Sequence, residues 1–198
     1  MAQILSIINP ATEEVINEIP TDTTGQITDK VNQARTAQPA WAAQPLSDKI
    51  KAITKFGTLL TERADSLAAT LTAETGKPIT QAKNEILGTP PRIDYFIKNV
   101  GQILHPQPTY QDPWQAFPRT APLEEIITHD PLGVIANISA WNYPYFVGSN
   151  VFIPALLTGN AVMYKPSEIS TMTGLAIAAL LHESGIPDTI LIPVLGTV

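Results

Sequence analysis

Lys165-Pro166-Ser167-Glu168 sets an ammonium donor and a carboxylate acceptor three residues apart, with a hydroxyl between them. Such a pair suits the two adjacent hydroxyls of a vicinal diol. The same spacing also describes a solvated i, i+3 ion pair that binds nothing. Upstream, Trp141-Asn142-Tyr143-Pro144 offers an indole and a side-chain amide. An Asn in a loop before Tyr-Pro can simply stabilise a turn, and Trp141 can be packing for that loop as readily as a ligand contact. Glu74-Thr75-Gly76-Lys77-Pro78 holds a second carboxylate and ammonium three apart, which reads as a charge pair at a helix end. His105, His129 and His182 have no metal-ligand spacing and read as surface or cap residues. The chain contains no cysteine, which removes disulfides, thiol redox chemistry and the usual zinc sites together. It has no G-x-S-x-G elbow, phosphate-binding P-loop or G-x-G-x-x-G turn, so those hydrolase, NTPase and dinucleotide readings have no support.

The polar groups at 141–142 and 165–168 flank a stretch, residues 131 to 164, without one charged side chain. A run of this kind is a membrane span or the buried centre of an α/β domain. A span needs about 20 predominantly apolar residues, whereas Pro144, Pro154, Gly148, Gly159 and four asparagines interrupt this one. It reads instead as strand 133–138, loop, helix 145–157, a turn at Thr158-Gly159-Asn160 supplying a left-handed cap, and strand 161–164. A helix over 170–183 follows, stopped by Gly185 with Pro187 beyond, and then a strand over 189–194. Alternating strands and helices with short turns predict parallel crossovers. In such sheets ligands bind at the carboxyl ends of the strands, where Trp141-Asn142 and Lys165 to Glu168 both fall.

In these residues the chain resembles the amino-terminal part of an aldehyde dehydrogenase of the NAD(P)-dependent superfamily. The resemblance is carried by Pro131-Leu132-Gly133-Val134, Trp141-Asn142-Tyr143-Pro144, Pro154-Ala155-Leu156, Gly159-Asn160, Lys165-Pro166-Ser167-Glu168 and, upstream, Glu74-Thr75-Gly76-Lys77-Pro78. Ala140 departs from it, since the family usually has a proline before the tryptophan. The resemblance implies an α/β fold: amino-terminal helices plus the first half of a Rossmann-like parallel sheet. It implies that Asn142 is the oxyanion donor to the substrate oxygen. It makes Lys165, Glu168, Ser167 and Trp141 the cofactor-binding residues, with Lys165 and Glu168 on the adenosine ribose. The cofactor is NAD or NADP, and Glu168 leans toward NAD because a carboxylate near the 2′ position repels a phosphate.

The family's chemistry uses a cysteine thiolate that attacks the aldehyde, hydride transfer to the nicotinamide and a glutamate-activated water. Family members are more than twice as long as this chain. The resemblance therefore implies that the pyrophosphate turn, the general base and the nucleophile lie beyond residue 198, that this chain is inactive alone, and that it binds nucleotide weakly. The implied partners are a carboxy-terminal half or a homologous subunit and, in a complete enzyme, a small aldehyde. A non-catalytic remnant or a nucleotide- or subunit-binding module is the alternative.

Composition agrees with a globular protein: 44% hydrophobic residues and 7% aromatic ones. A net charge of −6 with scattered lysines and arginines argues against nucleic acid. The start, Met1-Ala2-Gln3-Ile4-Leu5-Ser6, shows no secretory pattern, so a cytoplasmic location and no membrane partner are expected. Three regions follow. Residues 1–101 form a hairpin (4–8 with 14–19) and helices of the cofactor domain. Residues 102–129 form a proline-rich arm that the resemblance makes an oligomerisation hairpin, and 130–198 form the βαβαβ half-sheet. Thr23 and Gln26 predict a capping box, Ser47 predicts the cap of a second helix, and Gly76 stops a third. Pro90-Pro91 predicts the end of a helix begun at Ile79 and the start of another.

Overall fold

The computed structural model describes residues 3–111 and 124–197. Strands β1 (Ile4–Ile8) and β2 (Val15–Pro20) pair antiparallel as the predicted hairpin. Helix α1 (Thr24–Ala42) opens on the expected box: Gln26 N–H donates to Thr23 Oγ1 at 3.3 Å, and Thr23 N–H donates to Gln26 Oε1 at 2.8 Å. Two orphan amide donors at the helix start are thereby satisfied.

Helix α2 (Leu46–Glu62) starts differently from the expectation. Pro45 occupies its cap position, and Ser47 lies inside the first turn without a capping bond. The α1–α2 junction is held by Lys49 instead. Its buried ammonium donates to the carbonyls of Ala42 and Gln44 at the end of α1. Burial lowers its pKa from the usual lysine value, because desolvation disfavours the charged form. Helix α3 (Ala64–Thr75) ends at left-handed Gly76, as predicted.

The double proline does not break the next helix. Helix α4 runs unbroken through Pro90 and Pro91 from Ile79 to Ile103. An interior proline costs about 3 kcal/mol by local propensity. Tertiary packing outweighs that here: Ala82, Ile86, Thr89, Ile93 and Val100 form one buried face of α4. Gly57 of α2 packs beside Pro90 and Ile93. Local reasoning could not weigh that face.

Strands β3 (Gln107–Gln111) and β4 (Glu124–Ile127) form a separate antiparallel pair. Pro106 and Pro108 accordingly lie outside any central sheet. Pro113, Pro118 and Pro122 of the expected arm lie outside the described residues.

The third sheet is parallel, in the order β5 (Val134–Ile138), β6 (Ala161–Lys165), β7 (Leu191–Pro193). Helix α5 (Pro144–Leu157) joins the first two strands and α6 (Thr171–Ser184) the last two. The strand predicted over 189–194 is shorter at both ends, and β5 begins one residue after Gly133. Helix α1 packs along all three strands, while α2, α3 and α4 pack against α5 and α6. A chain of aromatic edges crosses these layers. Phe56 of α2 meets Phe152 of α5 at 6.1 Å, and Phe152 meets Tyr164 of β6 at 5.8 Å, both T-shaped, the geometry favoured by ring quadrupoles.

Gly159-Asn160 has a double task at the turn into β6. Gly159 takes a positive φ of 85°, and a Cβ there would lie 3.1 Å from the Ala42 backbone. Asn160 accepts from Gly133 N–H at 2.9 Å and donates to Ala155 O at 3.3 Å, tying the start of β5 to the end of α5.

Gly174 of α6 gives the fold a sharp test. A Cβ there would fall 2.3 Å from Pro166 Cβ and 2.7 Å from its Cγ, and a proline ring cannot rotate away. Gly174→Ala is expected to lower stability by about 1–3 kcal/mol, the usual range for overpacking. The loss should appear as a lower urea midpoint with an unchanged slope; an unchanged midpoint would show that the Pro166–Gly174 contact is loose.

Candidate functional site

In-register pairing brings the polar segments together. Ile138 at the end of β5 pairs with Lys165 at the end of β6. Ser139 N–H extends the ladder to Lys165 O at 3.0 Å, and Val194 N–H continues it to Tyr164 O at 2.8 Å. Neighbouring strands lie about 4.8 Å apart. The loop carrying Asn142 and the turn carrying Glu168 therefore leave adjacent strands at the same carboxyl end of the sheet.

At the β6 end, Lys165 Nζ stands 3.3 Å from Glu168 Oε2 and 3.1 Å from Pro166 O. Ser167 is buried, and its hydroxyl caps the 3-10 turn Glu168–Ser170 by accepting from Ile169 N–H at 3.3 Å. The backbone N–H of Glu168 itself, and then Lys165, hold the Glu168 carboxyl below the usual carboxylate range. It is thus ionised at neutral pH and able to accept.

Lys165 faces a cavity of about 410 Å³ with Gln3, Thr21, Thr23, Thr24, Leu195 and Gly196. Glu168 borders a different recess with Pro10, Glu74 and Ile169. The Lys165 cavity is walled by a locked junction. Asp22 accepts from Leu195 N–H at 2.8 Å and pairs with Lys30, and Lys30 also donates to Pro193 O at 2.8 Å. An ammonium and an ionised carboxylate side by side, with room next to the ammonium, fit a ribose diol. The turn beside Lys165 is a three-residue 3-10 turn, Glu168–Ser170, whose Ile169 amide is already taken by Ser167. It does not offer the run of free helix-start amides that a pyrophosphate requires.

At the β5 end, Asn142 is exposed, and its Oδ1 accepts from Tyr143 N–H at 3.1 Å. That bond occupies the amide oxygen and leaves the Nδ2 donors directed elsewhere. Trp141 is 49% exposed, so it does not pack the loop as its size suggests. Tyr143 is exposed as well, and its ring is held from one side by the Lys77 ammonium 4.0 Å away.

Glu74 and Lys77 do not pair with each other. Lys77 pairs with Glu85 of α4 and donates to Asn142 O. Glu85, 6% exposed, turns its other oxygen to the start of α5, accepting from Tyr145 N–H at 2.9 Å and Phe146 N–H at 3.4 Å. Glu74, 3% exposed, accepts at the start of α6 from the N–H groups of Met172 and Thr173 and from Thr173 Oγ1. Each carboxylate meets the positive end of a helix dipole and its unsatisfied amides. The charge pair expected within Glu74-Thr75-Gly76-Lys77 is replaced by two longer-range contacts: Glu74 turns to the start of α6, and Lys77 to Glu85.

Glu85 had one signal in the sequence: it falls on the apolar face of α4, between Ala82, Ile86 and Thr89. A charged residue at such a position is buried only with partners. Of the histidines, His182 bonds to Leu191 O at 2.8 Å and His105 to Pro106 O at 2.8 Å, while His129 is exposed. Among the described residues no cluster of potential metal ligands occurs, and no helix is long and apolar enough to cross a membrane.

Comparison with known proteins supplies the context for this geometry. The sequence model described as aldehyde dehydrogenase family matches residues 2–198. An N-succinylglutamate 5-semialdehyde dehydrogenase of Novosphingobium aromaticivorans is 33% identical over 172 residues, covering 87% of this chain and 35% of that protein. The crystal structure of an NADP-dependent glyceraldehyde-3-phosphate dehydrogenase from Bacillus halodurans complexed with NADP superposes with a TM-score of 0.90 at 26% identity. It covers 98% of this chain and 40% of its own. Lactaldehyde dehydrogenase from Escherichia coli gives 0.88 at 30% identity, over 98% and 39%. The chain thus spans well under half the length of these relatives.

Burial raises the Glu74 carboxyl above its ordinary 4.5, against the opposing pull of the Thr173 and Met172 donors. Between 4.5 and the raised folded value, the folded chain holds more protons than the unfolded one. This stabilising contribution is complete below 4.5 and is lost as pH rises through the folded value. Glu74→Gln stays neutral throughout. Measured by urea midpoints at pH 4.5 and 7, the stability of wild type relative to this variant is expected to decline toward neutrality; a constant gap would place the folded value at 4.5.

Proposed function

The chain belongs to the aldehyde dehydrogenase family, and we propose from that premise that it is the part of an NAD(P)-dependent aldehyde dehydrogenase that holds the adenosine ribose and presents one oxyanion donor. The observation that carries this reading is the β5–β6 register, Ile138 against Lys165. It brings Lys165 and the loop carrying Asn142 to neighbouring strand ends, which supports reading Lys165 and Glu168 as a diol-binding pair near a side-chain amide. Lys165 donates to one ribose hydroxyl and Glu168 accepts from the other, with Ser167 and Trp141 completing the cofactor contacts. Asn142 offers Nδ2 to the aldehyde oxygen as negative charge develops there. The nicotinamide cofactor, when bound, accepts the hydride lost by the aldehyde carbon.

NAD is favoured over NADP, because an ionised Glu168 repels a 2′-phosphate. Residues 1–101 and 130–198 make up the cofactor domain, and the β3–β4 pair within 102–129 is an arm for a homologous subunit. A carboxy-terminal half is the other partner, and the cytoplasm is the proposed compartment. The absence of cysteine favours a second reading, a non-catalytic nucleotide- or subunit-binding module. Both readings give this chain the same ribose site, and they differ in whether a nucleophile is supplied from outside it.

Calorimetry tests the site. Without helix-start amides for the pyrophosphate, two or three charge-assisted hydrogen bonds worth about 1.5–3 kcal/mol each are missing. The chain should therefore bind NAD with a Kd nearer about 1 mM than 1 µM. Lys165→Ala should abolish that binding, and Glu168→Gln should narrow the preference for NAD over NADP. Binding that survives Lys165→Ala would reject the ribose assignment. In the same preparation, absorbance at the NADH band should show no aldehyde-dependent turnover, since no thiol is present to attack the carbonyl.

A further inference from the structure

Lys77 belongs to no group assigned above, yet each of its directions is used. Its ammonium has three protons and three partners: Glu85 Oε2, the main-chain oxygen of Asn142, and the face of the Tyr143 ring 4.0 Å away. The lysine is itself largely buried, with 12% of its side chain exposed, and Glu85 is almost wholly enclosed at 1%. Glu85 in turn fixes the next stretch of chain through the amides of Tyr145 and Phe146. From Asn142 to Phe146, one ion pair therefore holds the backbone on both sides of Pro144.

We propose that Lys77 is a positioning residue, anchored by Glu85, that fixes the main chain at Asn142. This rests on the reading of Asn142 as the oxyanion donor, and it supplies what that reading lacks. Asn142 and Tyr143 are exposed and lie outside regular structure, and an exposed loop has no rigidity of its own. Useful electrostatic stabilisation requires a donor held in place before charge develops. Pinning the Asn142 carbonyl from the protein side fixes its peptide plane. The bond from Tyr143 N–H to Asn142 Oδ1 then sets the side-chain amide relative to that plane.

Lysine suits this post better than arginine. A compact ammonium can serve a carboxylate, a carbonyl and a ring face at once, whereas a planar guanidinium spreads its donors in a rigid fork. The neighbouring recess of about 420 Å³, lined by Gln81, Asn84, Glu85, Gly88, Tyr143 and Phe146, lies on the same side as the pinned loop. Glu85 and Tyr143, two members of the anchor, border this recess directly.

The test is backbone ¹⁵N relaxation on the 198-residue chain. In wild type, the amides of Asn142 and Tyr143 should show order parameters near the rigid value of about 0.85; in Lys77→Met they should fall below about 0.6. The amides of Val162 and Tyr164 in β6 should not change. Lys77→Met leaves Glu85 buried without its cation and can unfold the chain for that reason. The double variant Lys77→Met/Glu85→Gln removes both charges while keeping an acceptor for the start of α5, and it decides the matter if the single variant does not fold. In it, Asn142 and Tyr143 should loosen while Tyr145 and Phe146 stay ordered. Unchanged order at Asn142 and Tyr143, or an equal loss across β6, would overturn the proposal. Relaxation involves neither nucleotide nor aldehyde. A chain that binds no NAD can still show the pinned loop, and a chain with a free loop can still bind NAD.

Discussion

Two buried carboxylates join the helical layer to the sheet layer. Glu74 at the end of α3 and Glu85 in α4 each reach the first amides of a crossover helix, α6 and α5 respectively. A buried ion without partners is among the costliest things a fold can contain, and removing one member of a buried pair costs about 3–5 kcal/mol. A helix start without acceptors is a further liability. Each carboxylate resolves both problems at once. Because α5 and α6 are the crossovers of the parallel sheet, these contacts also set where the strand ends point, and the candidate site is made of strand ends.

The remaining architecture can be understood as support for those ends. The aromatic edge contacts Phe56–Phe152–Tyr164 carry packing from α2 through α5 into β6. Gly174 lets α6 close directly onto Pro166, which fixes the turn that carries Ser167 and Glu168. Asp22 and Lys30 clamp the segment after β7 against the start of α1. Asn160 closes the α5–β6 turn onto Gly133. Of the candidate ligand residues, Trp141 and Asn142 are exposed, Lys165 and Glu168 partly so, and Ser167 is buried. A rigid scaffold carrying functional groups on its loops is a common arrangement.

The resemblance to aldehyde dehydrogenases lay in short polar sequences, and the chain's membership of that family agrees with it. Geometry then divided those sequences by task. Gly159-Asn160 and Ser167 serve the backbone, through a tight approach, a turn bond and a cap. Lys165 and Glu168 keep their charged ends beside each other, Lys165 facing one recess and Glu168 another. Glu74 and Lys77, which look like a local pair in the sequence, belong to two separate anchors.

By itself, the sequence determined the elements whose signals are local. The order β5-α5-β6-α6-β7 was legible because Gly159 and Gly185 mark boundaries through the chemistry of their own positions, and the Thr23–Gln26 box acts over three residues. The chemistry available at 141–142 and 165–168 was legible for the same reason, as residue type and spacing. Tertiary structure alone decided that α4 passes through Pro90 and Pro91, that Trp141 stays exposed, and that Glu85, Lys77 and Glu74 find their partners. The bond from Tyr145 N–H to Glu85 spans 60 residues, and that from Thr173 N–H to Glu74 spans 99. Propensity and periodicity sum over a few neighbours. A contact at those separations depends on which faces the folded layers bury together, and no local window contains that information.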